Sequence, residues 1–208
     1  MSVDPFQAPR FLAQSLRGAV ALALTAAWLA GSAAAAADAA AGKALAEGCA
    51  GCHGEDGVSQ TPLTPSLAGE PDDFVQWQLV FFRSSARKSD IMEPIAQSLS
   101  NPEIRDLGAY YASLPPPKPQ PGPSDDDLVK AGARLVIEHR CTACHGDDLA
   151  GSRAAARLVS QREDVLLKAL RDFKSGVRLG AGVASMADVT YSLSDGDLQV
   201  LARFLSTR

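Results

Sequence analysis

Histidine and methionine are scarce in this chain, with three of each among 208 residues, and there are only four cysteines. Aromatic residues make up 6%, and much of the 46% apolar content is alanine. Two domains of about 80 residues would therefore bury only modest cores from protein side chains alone. No segment carries the β-branched run or strict alternation of a strand, so the expected fold is all-α. No basic run stands out either. Twenty Lys and Arg face 24 Asp and Glu, for a net charge of −4. That balance excludes the basic patch that nucleic acid requires.

All four cysteines fall into two copies of one pattern. Cys49-Ala50-Gly51-Cys52-His53 returns 92 residues later as Cys141-Thr142-Ala143-Cys144-His145. C-x-x-C-H is the attachment pattern of a c-type haem. Thiols three positions apart share one side of a helical turn and can form thioethers to two neighbouring vinyl groups, while the adjacent histidine meets the iron as proximal ligand. Other uses of the motif fit less well. A thioredoxin-like dithiol wants a strand before it, and a zinc ribbon wants its cysteine pairs about 15–20 residues apart. Two disulfides are compatible with an oxidising compartment but leave both histidines unexplained. Two haem c groups would also supply bulk that these small cores lack.

The copies organise the chain. Residues 1–37 read as an export signal, with Arg10 and Arg17 in front, an uncharged stretch from Gly18 to Ala37, and the small-residue cleavage pattern Ala35-Ala36-Ala37. The arginines are not adjacent, so a twin-arginine signal is not indicated. The alternative is a retained membrane anchor with peripheral membrane association. Cleavage would leave 18 basic and 23 acidic residues, net −5. Domain 1 is expected over 38–114, a proline-rich linker over 115–127, and domain 2 over 128–208. The linker opens with Pro115–Pro123, PPPKPQPGP, an extended polyproline segment that reaches roughly 28 Å.

Within domain 1, a short helix Ala39–Cys49 leads into the first motif. A loop Gly54–Leu67 and a helix over Asp73–Arg83 follow, and then a loop carrying Arg87, Lys88 and Met92. The capping box Ser100-Asn101-Pro102-Glu103 opens a helix to about Ser113. Domain 2 repeats the order, with a helix Leu128–Arg140, a capping box at Ser160 and Glu163, a glycine-rich loop Gly176–Gly182 before Met186, and a final helix capped by Ser194 and Asp197. Phe82/Phe173 and Arg87/Arg178 are 91 apart, whereas Met92/Met186 and Tyr110/Phe204 are 94 apart.

Without the signal only two methionines remain, one per repeat, 39 and 41 residues after their histidines. A methionine on the open face of a haem gives a six-coordinate iron of raised potential, suited to electron transfer. Met92 and Met186 are therefore the expected sixth ligands opposite His53 and His145. His139 has no counterpart in the first repeat and reads as a solvated helix residue. With no cysteine left over, a thiolate-ligated catalytic haem is excluded.

The order CxxCHG, PSLAG, aromatic helix, R-x-x-x-x-M, LS-x-x-E/D-I and AYYASL resembles the dihaem class I cytochromes c of the cytochrome c4-like family over residues 40–208. The resemblance implies two tandem cytochrome c folds related by a pseudo-twofold, each around one covalent haem c. It implies a periplasmic carrier of single electrons with redox protein partners, taking them from a respiratory complex or dehydrogenase and passing them to a terminal oxidase or another acceptor. It also implies that the Pro65 carbonyl orients His53. Ala156 stands at the matching place of the second repeat and lacks proline's fixed φ, so the two potentials are expected to differ. The alternatives are the electron-accepting subunit of a periplasmic dehydrogenase and a dihaem peroxidase, which would need an open iron.

Overall fold

The computed structural model describes residues 36–122, 126–178 and 183–208, and Ala37–Arg208 form one compact unit. Residues 1–35 of the stretch read as an export signal, three linker residues and residues 179–182 of the glycine-rich loop lie outside the described residues. Among the described residues the regular structure is helical, apart from one isolated bridge between Ser152 and Ala155. The first half comprises α1 (Ala39–Ala46), α2 (Ala50–His53), α3 (Asp72–Arg83), α4 (Met92–Gln97) and α5 (Asn101–Ser113). The second half repeats it as α6 (Asp126–Glu138), α7 (Thr142–His145), α8 (Glu163–Lys174), α9 (Ala184–Tyr191) and α10 (Asp195–Ser206).

The helix ends follow local chemistry. Asp38 accepts hydrogen bonds from the Ala40 and Ala41 N–H groups and starts α1. Both capping boxes at the last helices form: Ser100 with Glu103 opens α5, and Ser194 with Asp197 opens α10. The Ser100→Ala variant is expected to lose about 1 kcal/mol of domain 1 stability, read as a lower melting temperature.

Three expectations are corrected. Ser160 does not cap α8. It takes a left-handed φ of +62° and donates its hydroxyl to the Arg208 carbonyl, while Arg162 is the residue before the helix. Pro71 precedes α3 at the matching place, so this turn needs no side-chain cap in either repeat. Helix α6 ends at Glu138, two residues before Arg140, whose φ of +53° stops it. Met92 and Met186 sit in the short helices α4 and α9 rather than in loops. A six-residue helix is too short to show a period, and Pro94 in its first turn costs no hydrogen bond.

In each half the first helix crosses the last at a glycine. A Cβ at Gly42 would lie 2.0 Å from the Asp106 carbonyl oxygen and 2.8 Å from Tyr110 Cβ. One at Gly132 would lie 2.3 Å from Phe204 Cγ. These close crossings hold α1 on α5 and α6 on α10, which fixes where the motif after each first helix emerges. The described linker residues 115–122 are mostly exposed yet held at two points, and α6 begins at Asp126, two residues inside the expected linker. Pro116 lies over Gly69, and the Gln120 N–H donates to the Ser206 carbonyl at 2.8 Å.

The halves meet along a hydrogen-bonded seam. The Ser66 N–H donates to Gln161 Oε1 at 2.9 Å, and the Arg157 N–H donates to Glu70 Oε2 at 2.9 Å. Ser66 matches Arg157 and Glu70 matches Gln161, each pair 91 apart, so the contacts are reciprocal. Such exchange of roles is the signature of a twofold relation. The Leu63 N–H on Asp164 and the Arg178 guanidinium on Gln78 extend the seam at 2.9 and 2.8 Å.

Candidate functional site

Each motif is a single helical turn that begins on its first cysteine. The His53 N–H donates to the Cys49 carbonyl at 3.0 Å, and the His145 N–H to the Cys141 carbonyl at 3.1 Å. None of the four cysteines is paired in a disulfide, and Cys49 and Cys141 are half-buried while Cys52 and Cys144 are exposed. Burial pushes the Cys49 and Cys141 thiols up, and a hydrogen bond with Tyr111 partly offsets this at Cys49. Gly54, at φ +87°, turns the chain away directly after the histidine. A Cβ there would come within 2.3 Å of the Val58 carbonyl oxygen.

The histidines are 8% exposed and matched. His53 Nδ1 donates to the Pro65 carbonyl at 2.9 Å, and His145 Nδ1 donates to the Ala156 carbonyl at 2.7 Å. A carbonyl can only accept, so Nδ1 carries the hydrogen and Nε2 carries the lone pair. Burial depresses both histidine pKa values, against the raising effect of the carbonyls, and favours neutral, metal-ready rings. The bond survives without proline at Ala156 because its loop is held otherwise. Ala155 bonds Ser152 in both directions, and Arg157 is held by Glu70.

Met92 and Met186 are half-buried on equivalent helices with different supports. The Met92 N–H donates to Ser89 Oγ, and Glu93 clasps the Ser85 hydroxyl and the Ser89 N–H at 2.6 and 3.0 Å. The Met186 carbonyl accepts from the buried Thr190 hydroxyl at 2.8 Å. His139 is partly exposed but follows the end of α6, so it is not the helix residue expected.

Sequence reasoning noticed Arg87 and Arg178 as a repeat pair but gave them no role. Each stacks on the aromatic residue five positions before it, Arg87 over Phe82 at 4.5 Å and Arg178 over Phe173 at 4.4 Å. Both donate to Gln78 Oε1, at 2.6 and 2.8 Å. Burial lowers Arg87 to about 10 and Arg178 to about 9, the latter helped by repulsion from Arg87. Glu70 was missed altogether. It is 4% exposed, and burial pushes its carboxyl up to about 8, although Arg157, Gln161 and Arg178 act in the opposite direction. Its signal was faint: a glutamate matched to a glutamine at the repeat offset.

The residues present fit a covalent haem in each half. In each motif two cysteines outside any disulfide stand one turn apart, and each histidine, with Nδ1 on a carbonyl, keeps Nε2 available. Arg157 Nε is buried without a partner among the described residues, as expected of a cation near a bound anionic group. In domain 1 the buried apolar cluster of Ala46, Val75, Leu107 and Tyr111 packs against half-buried Cys49.

A duplicated, helical C-x-x-C-H unit of this kind defines a dihaem c-type cytochrome, a class of electron-transfer protein with one covalent haem c in each half. A family model for cytochrome c matches residues 39–115. The cytochrome c4 of Thiocapsa roseopersicina is 31% identical over 176 residues, which cover 79% of this chain and 90% of that one. The crystal structure of reduced recombinant cytochrome c4 from Pseudomonas stutzeri superimposes with a TM-score of 0.75 at 28% identity, over 83% of this chain and 99% of that one. The thiosulfate dehydrogenase electron acceptor of Thiomonas intermedia is 30% identical, over 78% of this chain and 79% of that protein. The chain belongs to the cytochrome c4 family.

Proposed function

We propose that this dihaem cytochrome is a periplasmic shuttle for single electrons, with no substrate turnover of its own. His53 and Met92 would ligate one iron and His145 and Met186 the other, while Cys49, Cys52, Cys141 and Cys144 would carry the thioethers. The observation that carries this reading is the matched pair of buried histidines, each with Nδ1 committed to a backbone carbonyl and each followed in order by one methionine helix. Bound haem supplies a metal centre that changes valence by one electron. The protein's contribution is to fix the ring tautomer and to close the opposite face with sulfur. Domains at 38–114 and 128–208, a linker between them and a cleaved signal over 1–37 complete the proposal. No helix among the described residues is long and apolar enough to cross a membrane.

An optical spectrum of oxidised and reduced protein tests the reading. Two low-spin haems per chain with a methionine–iron charge-transfer band are expected. A five-coordinate haem at rest would point instead to a catalyst. Redox titration is expected to resolve two unequal waves, because one proximal carbonyl belongs to a proline and the other to an alanine, and their peptides meet different cross-domain acceptors, Gln161 and Glu70. A single two-electron wave would refute that inequality.

The similarity to a thiosulfate dehydrogenase electron acceptor favours a second reading, in which the donor is one fixed dehydrogenase. Co-purification with a larger catalytic subunit would select it. Residues 38–118 hold 6 basic and 11 acidic residues while 119–208 hold 12 of each, so a basic partner would be steered to domain 1.

A further inference from the structure

Two hydrogen-bond chains cross the seam, and each ends on a proximal histidine. In the first, His53 donates to the Pro65 carbonyl, and the N–H of that same peptide unit, which belongs to Ser66, donates to Gln161 of the opposite half. In the second, His145 donates to the Ala156 carbonyl, and the N–H of that peptide, which belongs to Arg157, donates to Glu70 of the opposite half. Each ring is thus coupled through one conjugated amide to a side chain of the other domain. The end groups differ in two respects. Gln161 is a neutral amide that grips Ser66 twice, its Nε2 donating to the Ser66 carbonyl at 2.9 Å. Glu70 has the same shape and burial but can gain or lose a proton.

We propose that Glu70 is a positioning residue that tunes the second haem through Arg157, Ala156 and His145, binding a proton when an electron arrives there and releasing it when the electron leaves. The proposal rests on His145 being a proximal ligand. One electron comes from the redox donor and one proton from water. The Glu70 carboxylate becomes a carboxylic acid, and no other bond is made or broken.

The sign follows from the geometry. An ionised Glu70 polarises the Arg157 N–H, which makes the Ala156 carbonyl oxygen a stronger acceptor. That oxygen then draws the His145 Nδ1 hydrogen and makes the ring a better donor to oxidised iron. The negative charge itself also favours the oxidised state. Reduction therefore raises the proton affinity of Glu70, and by linkage a rise in pH lowers the second potential. Burial places the carboxyl near 8, where small pH changes alter its charge. The cations facing it are Arg157 and Arg178, the latter flanked by Arg87 and Asp172; bound haem would add the carboxylates of its propionates.

Spectroelectrochemical titration of the holoprotein, below and above pH 8, tests this. In the wild type, the wave displaced by substitution of Met186 is expected to fall as pH rises, while the other stays fixed. Glu70→Gln keeps the shape and the acceptor, so its second wave should hold at the acid-side value across the range. Gln161→Glu should make the first wave pH-dependent. A Glu70→Gln protein with wild-type pH dependence would assign the effect to the propionates and overturn the proposal, as would pH-independent waves in the wild type. An optical spectrum of each protein separates the two levels: normal His/Met spectra with fixed potentials defeat the Glu70 role alone, whereas absence of two low-spin haems defeats the functional reading and the tuning with it.

Discussion

Met186→Ala is expected to bind carbon monoxide at the second iron and to lower that centre's potential, leaving the first haem inert to the gas. Axial ligation spans about 0.8 V, so losing the thioether should shift the potential by roughly 0.2 V. The change at Met92 should act on the first haem in the same way. Supports for the two methionines differ, with Glu93 and Ser89 bracing α4 and Thr190 bracing α9 from inside. Truncation removes the sulfur without disturbing those bonds, which use backbone atoms or neighbouring side chains. The fold should therefore survive, and the spectral change should report ligation alone. Carbon monoxide difference spectra and a redox titration of each variant check it. A Met186→Ala protein with wild-type potential and no affinity for carbon monoxide would exclude methionine as the sixth ligand.

Gly132→Val is expected to unfold domain 2. Any side chain there meets Phe204 Cγ at 2.3 Å and Phe204 Cβ at 2.4 Å, and a Cβ, unlike a side-chain tip, cannot swing away without moving α10 itself. Overpacking of this severity costs roughly 3 kcal/mol or more, a large part of the 5–15 kcal/mol that holds an ordinary domain. Gly42→Val should do the same to domain 1, because its Cβ would fall 2.0 Å from the Asp106 carbonyl oxygen. The control is Gly51→Ala, where nothing lies within 4 Å of the added carbon. That variant should melt as the wild type does, or slightly higher from better helix propensity. Far-UV circular dichroism against temperature distinguishes the three.

Much of this architecture could be read from residue order. The capping boxes at Ser100 and Ser194 mark where the last helices begin, because each satisfies its own orphan donors locally. The two motifs and the two lone methionines gave the candidate ligands. The Pro65 carbonyl came from family resemblance, and its bond to His53 is present. Other features depend on the approach of distant segments. Ser160 carries the letters of a cap, but its backbone is left-handed and its hydroxyl is spent on the chain terminus. Glu70 looks like any loop glutamate until the opposite half covers it. Which faces meet across the seam is a tertiary fact, and no local period encodes it.

The reciprocal seam also bears on how two similar halves avoid pairing with themselves. Two copies of domain 1, joined in the same manner, would bury two glutamates, one against each Ser66 amide, and bring their acidic surfaces together. The natural arrangement sets one ionisable side chain against one amide, so a single charge has to be accommodated. The substitution that distinguishes the halves thereby makes the intramolecular union preferable to a homodimer of the first, and the short proline tether brings the correct mate within reach.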